Sequence, residues 1–330
     1  MNRITLVTIF VLCAMICNTG CDKEPKVNCP CFELTEVTDE EDFVGIENIS
    51  FENFPQMDGS TSTSALNRMI ACKLLNLRYE WLGGGGIEWN VQPYDVPEEY
   101  YDIFLGGRIK LSQTHGAFMN LIDGESDIIL THRTLSPDEK AHANAVGVTL
   151  IETSIALDAF VFIVNRDNPI KSLTVNQIQR IYTGQITNWS KVGGKNKNIQ
   201  IFARPQNSGS EEVFRELVMN GLDPISGSMI HPMLLVLDMI MNFENSICYT
   251  FYNYKEIIAR KPCYEVPVLA INDICPTEST VKNRTYPLIS EVRVAIRSDL
   301  DRNSMAYTLY EWLQSENAKS TLIECGFIPK

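Results

Sequence analysis

The chain has few of the residues that catalytic metal and nucleophile chemistry require. Its 330 residues include only four histidines, and none of these stands in an HExxH or HxH spacing. Ser208 is not part of a GxSxG pattern. These absences argue against a zinc enzyme and against a serine hydrolase. We therefore expect a protein that is not an enzyme, and we predict no catalytic residue, bound metal or cofactor.

Positive charge is also scarce. The chain has 28 Lys and Arg against 41 Asp and Glu, which gives a formal charge of −13. A protein that binds nucleic acid, or an anionic membrane over its whole surface, usually carries the opposite sign, so we expect no nucleic-acid partner. An anionic ligand would have to be held by local donors. The length predicts about two domains.

Long apolar runs are missing except at the start of the chain. The run Ile4–Ile16 follows Arg3 and is shorter than the roughly 20 residues of a membrane-spanning helix, so residues 1–20 are predicted to be a signal peptide. Small residues precede Cys21, as in a bacterial lipobox, which predicts lipidation of Cys21 and anchoring to the membrane; plain secretion is the alternative. We expect an exported protein in the periplasm or at the cell surface, with residues 21–46 as a tether.

Apolar runs and helix start signals alternate along the rest of the chain. Ser136 with Glu139, and Thr174 with Gln177, form capping-box patterns that predict helices ending near Gly147 and Gly184. Near the carboxyl terminus a single last helix is expected to end at Gly326. Five strand-like runs, most of them nearly continuously apolar, predict strands buried on both faces of a parallel α/β sheet: 127–131, 160–165, 199–203, 266–272 and 292–297.

The stretch from Leu77 to Arg108 is unusual in composition. It contains Trp81, Trp89 and the glycine run Gly83–Gly86. No Lys-Ser or Lys-Thr follows the glycines, so they do not form a phosphate-binding P-loop. We predict an excursion without a regular element of its own.

Two short segments combine hydroxyl residues and glycine directly before a helix. They are Asp58–Thr63 (DGSTST) and Arg204–Glu211 (RPQNSGSE). A helix start leaves backbone N–H groups unpaired and carries partial positive charge, so it can bind an anion, and Arg204 adds a planar cation. The same residues also fit ordinary helix caps, and both interpretations stay open at this point.

A longer stretch carries a family resemblance. Asp158–Gly194 (DAFVFIVNRDNPIKSLTVNQIQRIYTGQITNWSKVGG) resembles a characteristic segment of the PstS-like phosphate-binding proteins, the solute-binding proteins of ABC phosphate importers. Arg204–Phe214, with its R-x-x-x-S-G-S pattern, is similar to the phosphate loop of that family. Gly124–Ser136 and Tyr286–Leu288 match two further marks. The resemblance extends over about residues 47–329.

The resemblance implies a two-lobed α/β fold of the type II periplasmic-binding-protein kind. One lobe would comprise residues 47–155 and 286–330, and the other residues 156–285. Two hinge strands would join the lobes near residues 154–158 and 285–289. The ligand would lie between the lobes, which would close around it by a hinge motion.

The resemblance also implies a function and a set of ligand residues. The protein would bind phosphate as a monomer and deliver it to an ABC permease in the cytoplasmic membrane. The implied ligand residues lie in four loops: Ser60, Thr61 and Ser62; Thr114 and Gly116; Thr131 and His132; and Arg204, Ser208, Gly209 and Ser210.

The third of these loops departs from the family pattern. Many phosphate binders have an aspartate there, which accepts the proton of the ligand and rejects sulfate, but this chain has His132. Neutral His132 could accept that proton through one ring nitrogen, whereas protonated His132 could only donate. The alternative hypotheses are therefore the same fold with another oxyanion or ligand, or a sensor or interaction protein with an altered site.

Overall fold

The computed structural model describes residues 43–84, 87–231, 233–258 and 266–330. The predicted signal peptide, Cys21 and most of the predicted tether lie outside these residues. Within the described part of the chain, none of the helices combines the length and the apolar character needed to cross a bilayer.

Helices and strands alternate along the described chain. The α-helices are α1 (Ser64–Leu74), α2 (Gln113–Asp123), α3 (Pro137–Val146), α4 (Val175–Tyr182), α5 (Gly209–Phe214), α6 (Leu235–Asn242), α7 (Glu278–Lys282), α8 (Met305–Trp312) and α9 (Lys319–Glu324). The strands are β1 (Met57–Gly59), β2 (Tyr79–Gly84), β3 (Ile87–Pro93), β4 (Ile128–Thr131), β5 (Leu150–Val164), β6 (Ser172–Leu173), β7 (Gln200–Ala203), β8 (Ser228–Met229), β9 (Ser246–Phe251), β10 (Ala270–Ile271), β11 (Ile289–Arg297) and β12 (Ile328–Pro329).

One large sheet organises the molecule. It has eight strands in the order β1-β4-β11-β5-β9-β7-β8, with β12 also paired to β5. Strand β11 runs antiparallel to β4 and β5, and β5 runs antiparallel to β9, whereas β1 with β4 and β7 with β9 are parallel pairs. The α/β class is confirmed, but the sheet is mixed and not parallel throughout. The difference arises in the centre of the sheet, where β11 and β5 are each antiparallel to all of their neighbours.

Strand β5 connects two hydrophobic cores. Its first part pairs with β11 between residues 150 and 159, and its last part pairs with β9 between residues 160 and 164. We call the part of the chain around the core that contains Met57 and Leu309 the first lobe. The part around the core that contains Phe162 and Tyr249 is the second lobe. The fold is two-lobed, while the predicted lobe boundaries and hinge positions stay predictions.

The helix start signals of the sequence form as expected. Ser136 and Glu139 make a complete capping box at α3, and Gly147 ends that helix with a φ of +73°. Thr174 makes the same arrangement with Gln177 at α4. Side-chain and backbone partners only three residues apart decide these caps, which is why the sequence predicts them well.

Two predicted elements are shorter than expected. The strand predicted over 266–272 is limited to β10, Ala270–Ile271. The single last helix is divided into α8 and α9, because Ser315 starts a separate 3-10 turn by accepting a hydrogen bond from the backbone of Asn317. The other four predicted strands are present as β4, β5, β7 and β11.

The prediction for Leu77–Arg108 was wrong. Strands β2 and β3 form an antiparallel hairpin there, in which Trp81 pairs with Val91 and Tyr79 pairs with Pro93. Aromatic and branched residues alternate with polar ones on both sides of the glycines, which is a hairpin signal that the glycine run concealed. Trp81 packs against both hydrophobic cores, so the hairpin is joined to both lobes.

Candidate functional site

A cavity of about 510 Å³ opens between the two lobes. The first lobe contributes the segment that leads into α1 and the start of α2, and the second lobe contributes the segment that leads into α5. Phe251 and Met233 add an apolar part to the wall. The lining residues are Ser60, Thr61, Ser62, Ser112, Gln113, Thr114, His115, Gly116, Arg204, Pro205, Gln206, Asn207, Ser208, Gly209, Ser210, His231, Met233 and Phe251.

Three helix starts converge on this cavity. Ser60 is the N-cap of a 3-10 turn, Thr61–Thr63, that continues into α1; Ser112 is the N-cap of α2, and Ser208 is the N-cap of α5. The first N–H groups of a helix have no partner within the helix, so these starts present backbone donors and partial positive charge to the cavity. Hydroxyl groups at the same places add further donors.

Two close approaches position the helix starts. The buried carboxylate of Asp58 accepts hydrogen bonds from the backbone N–H of Ser112 (2.9 Å) and from the side chain of Asn120 (2.7 Å). It therefore ties the end of β1 to the start of α2. Across the cavity, a Cβ atom at Gly209 would lie only 2.7 Å from Thr114 Oγ1. The absence of a side chain at Gly209 lets the starts of α2 and α5 approach each other.

Arg204 is, among the described residues, the only Lys or Arg that lines the cavity. It is 6% exposed, and burial lowers the pKa of its guanidinium group from the ordinary value. Its Nη1 donates to the carbonyl oxygens of Ile230 (2.5 Å) and His231 (2.7 Å), and its Nε lies 3.4 Å from Ser210 Oγ. No partner of its Nη2 is found within the described residues, so one side of the guanidinium group is available to a ligand.

His115 is held at the cavity wall by a buried ion pair. Its Nδ1 lies 2.8 Å from Glu139 Oε1. Arg133 donates two hydrogen bonds to the Glu139 carboxylate, at 2.6 and 2.7 Å. Burial acts to raise the pKa of Glu139, but the hydrogen bonds and charge of Arg133 outweigh it and hold the pKa below the ordinary value. The ionised Glu139 carboxylate can therefore accept a hydrogen bond from the Nδ1–H group of His115.

The third predicted loop lies behind the cavity wall. Thr131 donates its hydroxyl proton to the carbonyl oxygen of Arg133 (2.8 Å), so it is turned into its own loop. His132 is 3% exposed, lies 2.9 Å through Nδ1 from Ser62 Oγ, and stacks on Phe251 at a ring distance of 4.2 Å. Ser62 and Phe251 are both residues of the wall, whereas His132 itself is not. His132 is therefore connected to the cavity through these two residues.

The structure brings nine of the eleven sequence-predicted ligand residues to one cavity; Thr131 and His132 are the other two. Sequence reasoning missed several wall residues. Ser112 could have been found, because a serine before the helical run that begins at Gln113 is a common N-cap pattern. His231, Met233 and Phe251 come from segments with no local sign of a site, and only the tertiary structure places them there.

The described wall contains no Asp or Glu, and none of the described residues form a group of three or more His, Cys, Asp or Glu that could hold a metal ion. The fold and the cavity together define a two-lobed binding protein with a cleft rich in hydrogen-bond donors.

A family model described as PBP superfamily domain matches residues 98–317. The chain belongs to this superfamily.

Comparison with individual relatives shows which proteins of the superfamily this chain resembles. The chain is 25% identical over 181 residues to the phosphate-binding protein PstS of Bacillus subtilis, over 54% of this chain and 58% of that protein. It is 29% identical over 222 residues to PstS of Staphylococcus saprophyticus, over 66% of this chain and 69% of that protein. The match therefore spans less than two thirds of the Bacillus relative. These comparisons confirm the predicted resemblance to PstS-like proteins.

Solved structures confirm the fold. A putative phosphate ABC transporter substrate-binding protein with bound phosphate, from Clostridium perfringens, superposes with a TM-score of 0.60 at 21% identity, over 86% of this chain and 99% of that one. An ABC-type phosphate transport receptor from Vibrio cholerae gives a TM-score of 0.58 at 21% identity, over 83% of this chain and 98% of that one. At this level of identity, the likeness shows the architecture alone.

Proposed function

We propose that the protein captures inorganic phosphate between its two lobes and delivers it to an ABC importer. One observation carries this proposal: three helix starts and the buried Arg204 converge on one cavity. The lining residues that the structure describes include no carboxylate. Such a wall attracts an anion even though the net charge of the chain is −13. The names of the relatives favour phosphate.

The ligand set of this proposal comes from both lobes. Backbone N–H groups and hydroxyls of Ser60, Thr61 and Ser62 would bind one side of the anion, and Thr114 and Gly116 would add the start of α2. Arg204 would bind the other side through Nη2, since Nη1 is engaged with backbone carbonyls. Ser208, Gly209 and Ser210 would complete the set. An anion bound to both lobes would favour their closed arrangement.

Export and anchoring are the second part of the proposal. The signal pattern of residues 1–20 and the cysteine at position 21 support lipid anchoring outside the cytoplasmic membrane. Cys21→Ser is expected to release the protein from the membrane fraction into the soluble exported fraction. A variant that stays membrane-bound and is still processed at the same site would overturn lipid anchoring.

A calorimetric titration with phosphate, sulfate and arsenate tests the binding function. Phosphate at 100 times its Kd should stabilise the fold by about 2.7 kcal/mol, which a thermal melt detects independently. Arg204→Ala should abolish binding, whereas Arg180→Ala, at an exposed position of α4, should bind normally. Wild-type protein that binds none of the three anions would overturn the proposal.

A second candidate is the same cleft with another oxyanion as its ligand. The lack of a carboxylate in the described wall favours it, because a fully ionised oxyanion needs donors only. Tighter binding of sulfate than of phosphate in the same titration would support this candidate. Hydrolysis of a phosphate monoester, measured with and without chelator, would instead indicate an enzyme, which we do not expect.

A further inference from the structure

Three buried side chains form a chain of contacts that ends at the cavity. Ser62 Oγ lies 2.9 Å from His132 Nδ1, and His132 Nε2 lies 3.4 Å from Asp158 Oδ2. The three residues are 3%, 3% and 5% exposed. Ser62 belongs to the turn before α1, His132 follows β4, and Asp158 lies in β5, so three separate segments meet here.

The carboxylate of Asp158 is held in one orientation. Its Oδ1 accepts the backbone N–H groups of Ala159 (2.7 Å) and Asn253 (3.1 Å). Its Oδ2 therefore faces the imidazole ring of His132. Within the described residues neither Asp158 Oδ2 nor His132 Nε2 has a hydrogen-bond partner, and the two atoms lie 3.4 Å apart. A buried carboxylate oxygen needs a donor, so the proton of the ring belongs on Nε2.

This tautomer decides the direction of the next hydrogen bond. In its neutral form, with the proton on Nε2, His132 has a lone pair on Nδ1 and accepts a hydrogen bond there. Ser62 must then donate its single hydroxyl proton to Nδ1. The oxygen of Ser62 has only lone pairs left, and it lines the cavity. Ser62 is thereby converted from a group of either polarity into an acceptor.

The neighbouring hydroxyls are consistent with this direction. Ser60 Oγ lies 3.0 Å from Ser62 Oγ and 3.1 Å from Thr63 Oγ1. Thr63 gives its own proton to the carbonyl oxygen of Leu130 (2.9 Å) or of Ser60 (3.1 Å), so its Oγ1 can accept the proton of Ser60. Ser62 is then not needed as the acceptor for Ser60 and stays available to a ligand.

We propose that Ser62 is the acceptor that recognises a protonated oxygen of the bound oxyanion, with His132 and Asp158 as positioning residues that fix its polarity. This inference rests on the proposed function. Phosphate near neutral pH carries a proton and sulfate does not, so an acceptor in an otherwise donor-rich wall selects phosphate. The described lining residues include no carboxylate that could accept the proton of the ligand. The buried pair His132 and Asp158 instead makes Ser62 the acceptor.

Asp158→Asn tests the direction of the chain. The substitution keeps Oδ1 for the two backbone donors and replaces Oδ2 by an NH₂ group. Nε2 of His132 must then accept, its proton moves to Nδ1, and Ser62 must turn its own proton toward the cavity. We expect the ratio of phosphate to sulfate affinity, measured by calorimetry, to fall by about tenfold or more, with a loss for phosphate and a gain for sulfate.

Ser62→Ala and Ser112→Ala form a matched pair that does not depend on the folding of the first variant. Ser112 also lines the cavity, but its Oγ accepts a hydrogen bond from Asn120 (3.0 Å), so its proton is left for a ligand. Ser62→Ala should weaken phosphate binding and leave sulfate binding unchanged. Ser112→Ala should weaken both anions by a similar factor.

The outcomes separate this inference from the proposed function. Wild-type protein that does not bind phosphate overturns the proposed function. Wild-type protein that binds phosphate, with Ser62→Ala weakening phosphate and sulfate equally, overturns the inference alone. A folded Asp158→Asn variant with an unchanged affinity ratio also overturns it. In that case His115, whose Nε2 has no partner within the described residues, would be the next acceptor to test.

Discussion

Arg133 of the first lobe donates a hydrogen bond to the backbone carbonyl oxygen of Asn207 in the second lobe, at 3.0 Å. Asn207 in turn donates from its side-chain amide to Asp138 Oδ2, at 2.6 Å. Both bonds join the two lobes, and both can exist only while the lobes are close together. Asn207 is therefore a contact of the closed arrangement.

Asn207→Gly removes the bond to Asp138 and keeps the backbone carbonyl. Its φ of +65° is one that glycine adopts without strain, so the fold should be unaffected. We expect phosphate to dissociate faster and to bind about two- to fivefold more weakly, because one bond of the closed state is lost. Stopped-flow measurement of dissociation checks this.

Asn220→Gly is the matched control, since Asn220 also has a positive φ, of +47°, but does not line the cavity. An equal effect of the two substitutions would mean that the bond to Asp138 does not contribute to closure.

Because of Glu139, we expect the free energy of unfolding to fall in acid. Its pKa is held below the ordinary value of 4.5, because Arg133 outweighs the effect of burial. A depressed pKa means that the ionised form stabilises the fold above about pH 4.5, and that this contribution is lost as the pH falls below 4.5. Urea unfolding between pH 3 and pH 7 should show this decline.

Glu139→Gln should cost about 3 kcal/mol at neutral pH, because the substitution leaves the buried Arg133 without its charge partner. The variant should also lose less stability in acid than the wild type does. Glu125→Gln, at an exposed position, is the control and should follow the wild-type curve. Parallel pH curves for wild type and Glu139→Gln would contradict this assignment.

Tyr254 and Glu88 connect the hairpin to the second lobe. The hydroxyl of Tyr254 donates to Glu88 Oε1, and burial raises the pKa of Glu88. Tyr254→Phe removes the donor and should lower the free energy of unfolding by about 1–3 kcal/mol. A double-mutant cycle with Glu88→Gln, measured by urea unfolding, should give a coupling of about 1 kcal/mol. Additive effects would show that the two side chains do not interact in solution.

Gly209→Ala tests the close approach of α2 and α5. The new Cβ atom would collide with Thr114 Oγ1, so one helix start has to move. We expect phosphate affinity to fall at least about tenfold, because misplaced donors lose most of their hydrogen-bond energy, while stability changes little. The variant Thr114→Ala removes the colliding hydroxyl, and it also removes a proposed ligand group. Adding Gly209→Ala to Thr114→Ala should therefore weaken binding much less than Gly209→Ala weakens binding of the wild type. An equal effect of Gly209→Ala in both backgrounds would contradict the steric explanation.

The hairpin shows where sequence patterns mislead. A run of four glycines suggested a loop, but alternation over Tyr79–Leu82 and Glu88–Val91 had the period of strands. The packing of Trp81 on both cores gives those strands a partner that a window of a few residues cannot show. Tertiary contact therefore decided the structure of this segment.

The sequence by itself determined the α/β class, the capping boxes of α3 and α4, and the candidate helix starts at Ser60 and Ser208. Each depends on residues a few positions apart, so local patterns are sufficient. Only the tertiary structure decided that three helix starts share one cavity, and that His132 lies behind Ser62 although 70 residues separate them. Contacts of that range depend on how β4 and β5 are placed in the sheet, and no local pattern contains that placement.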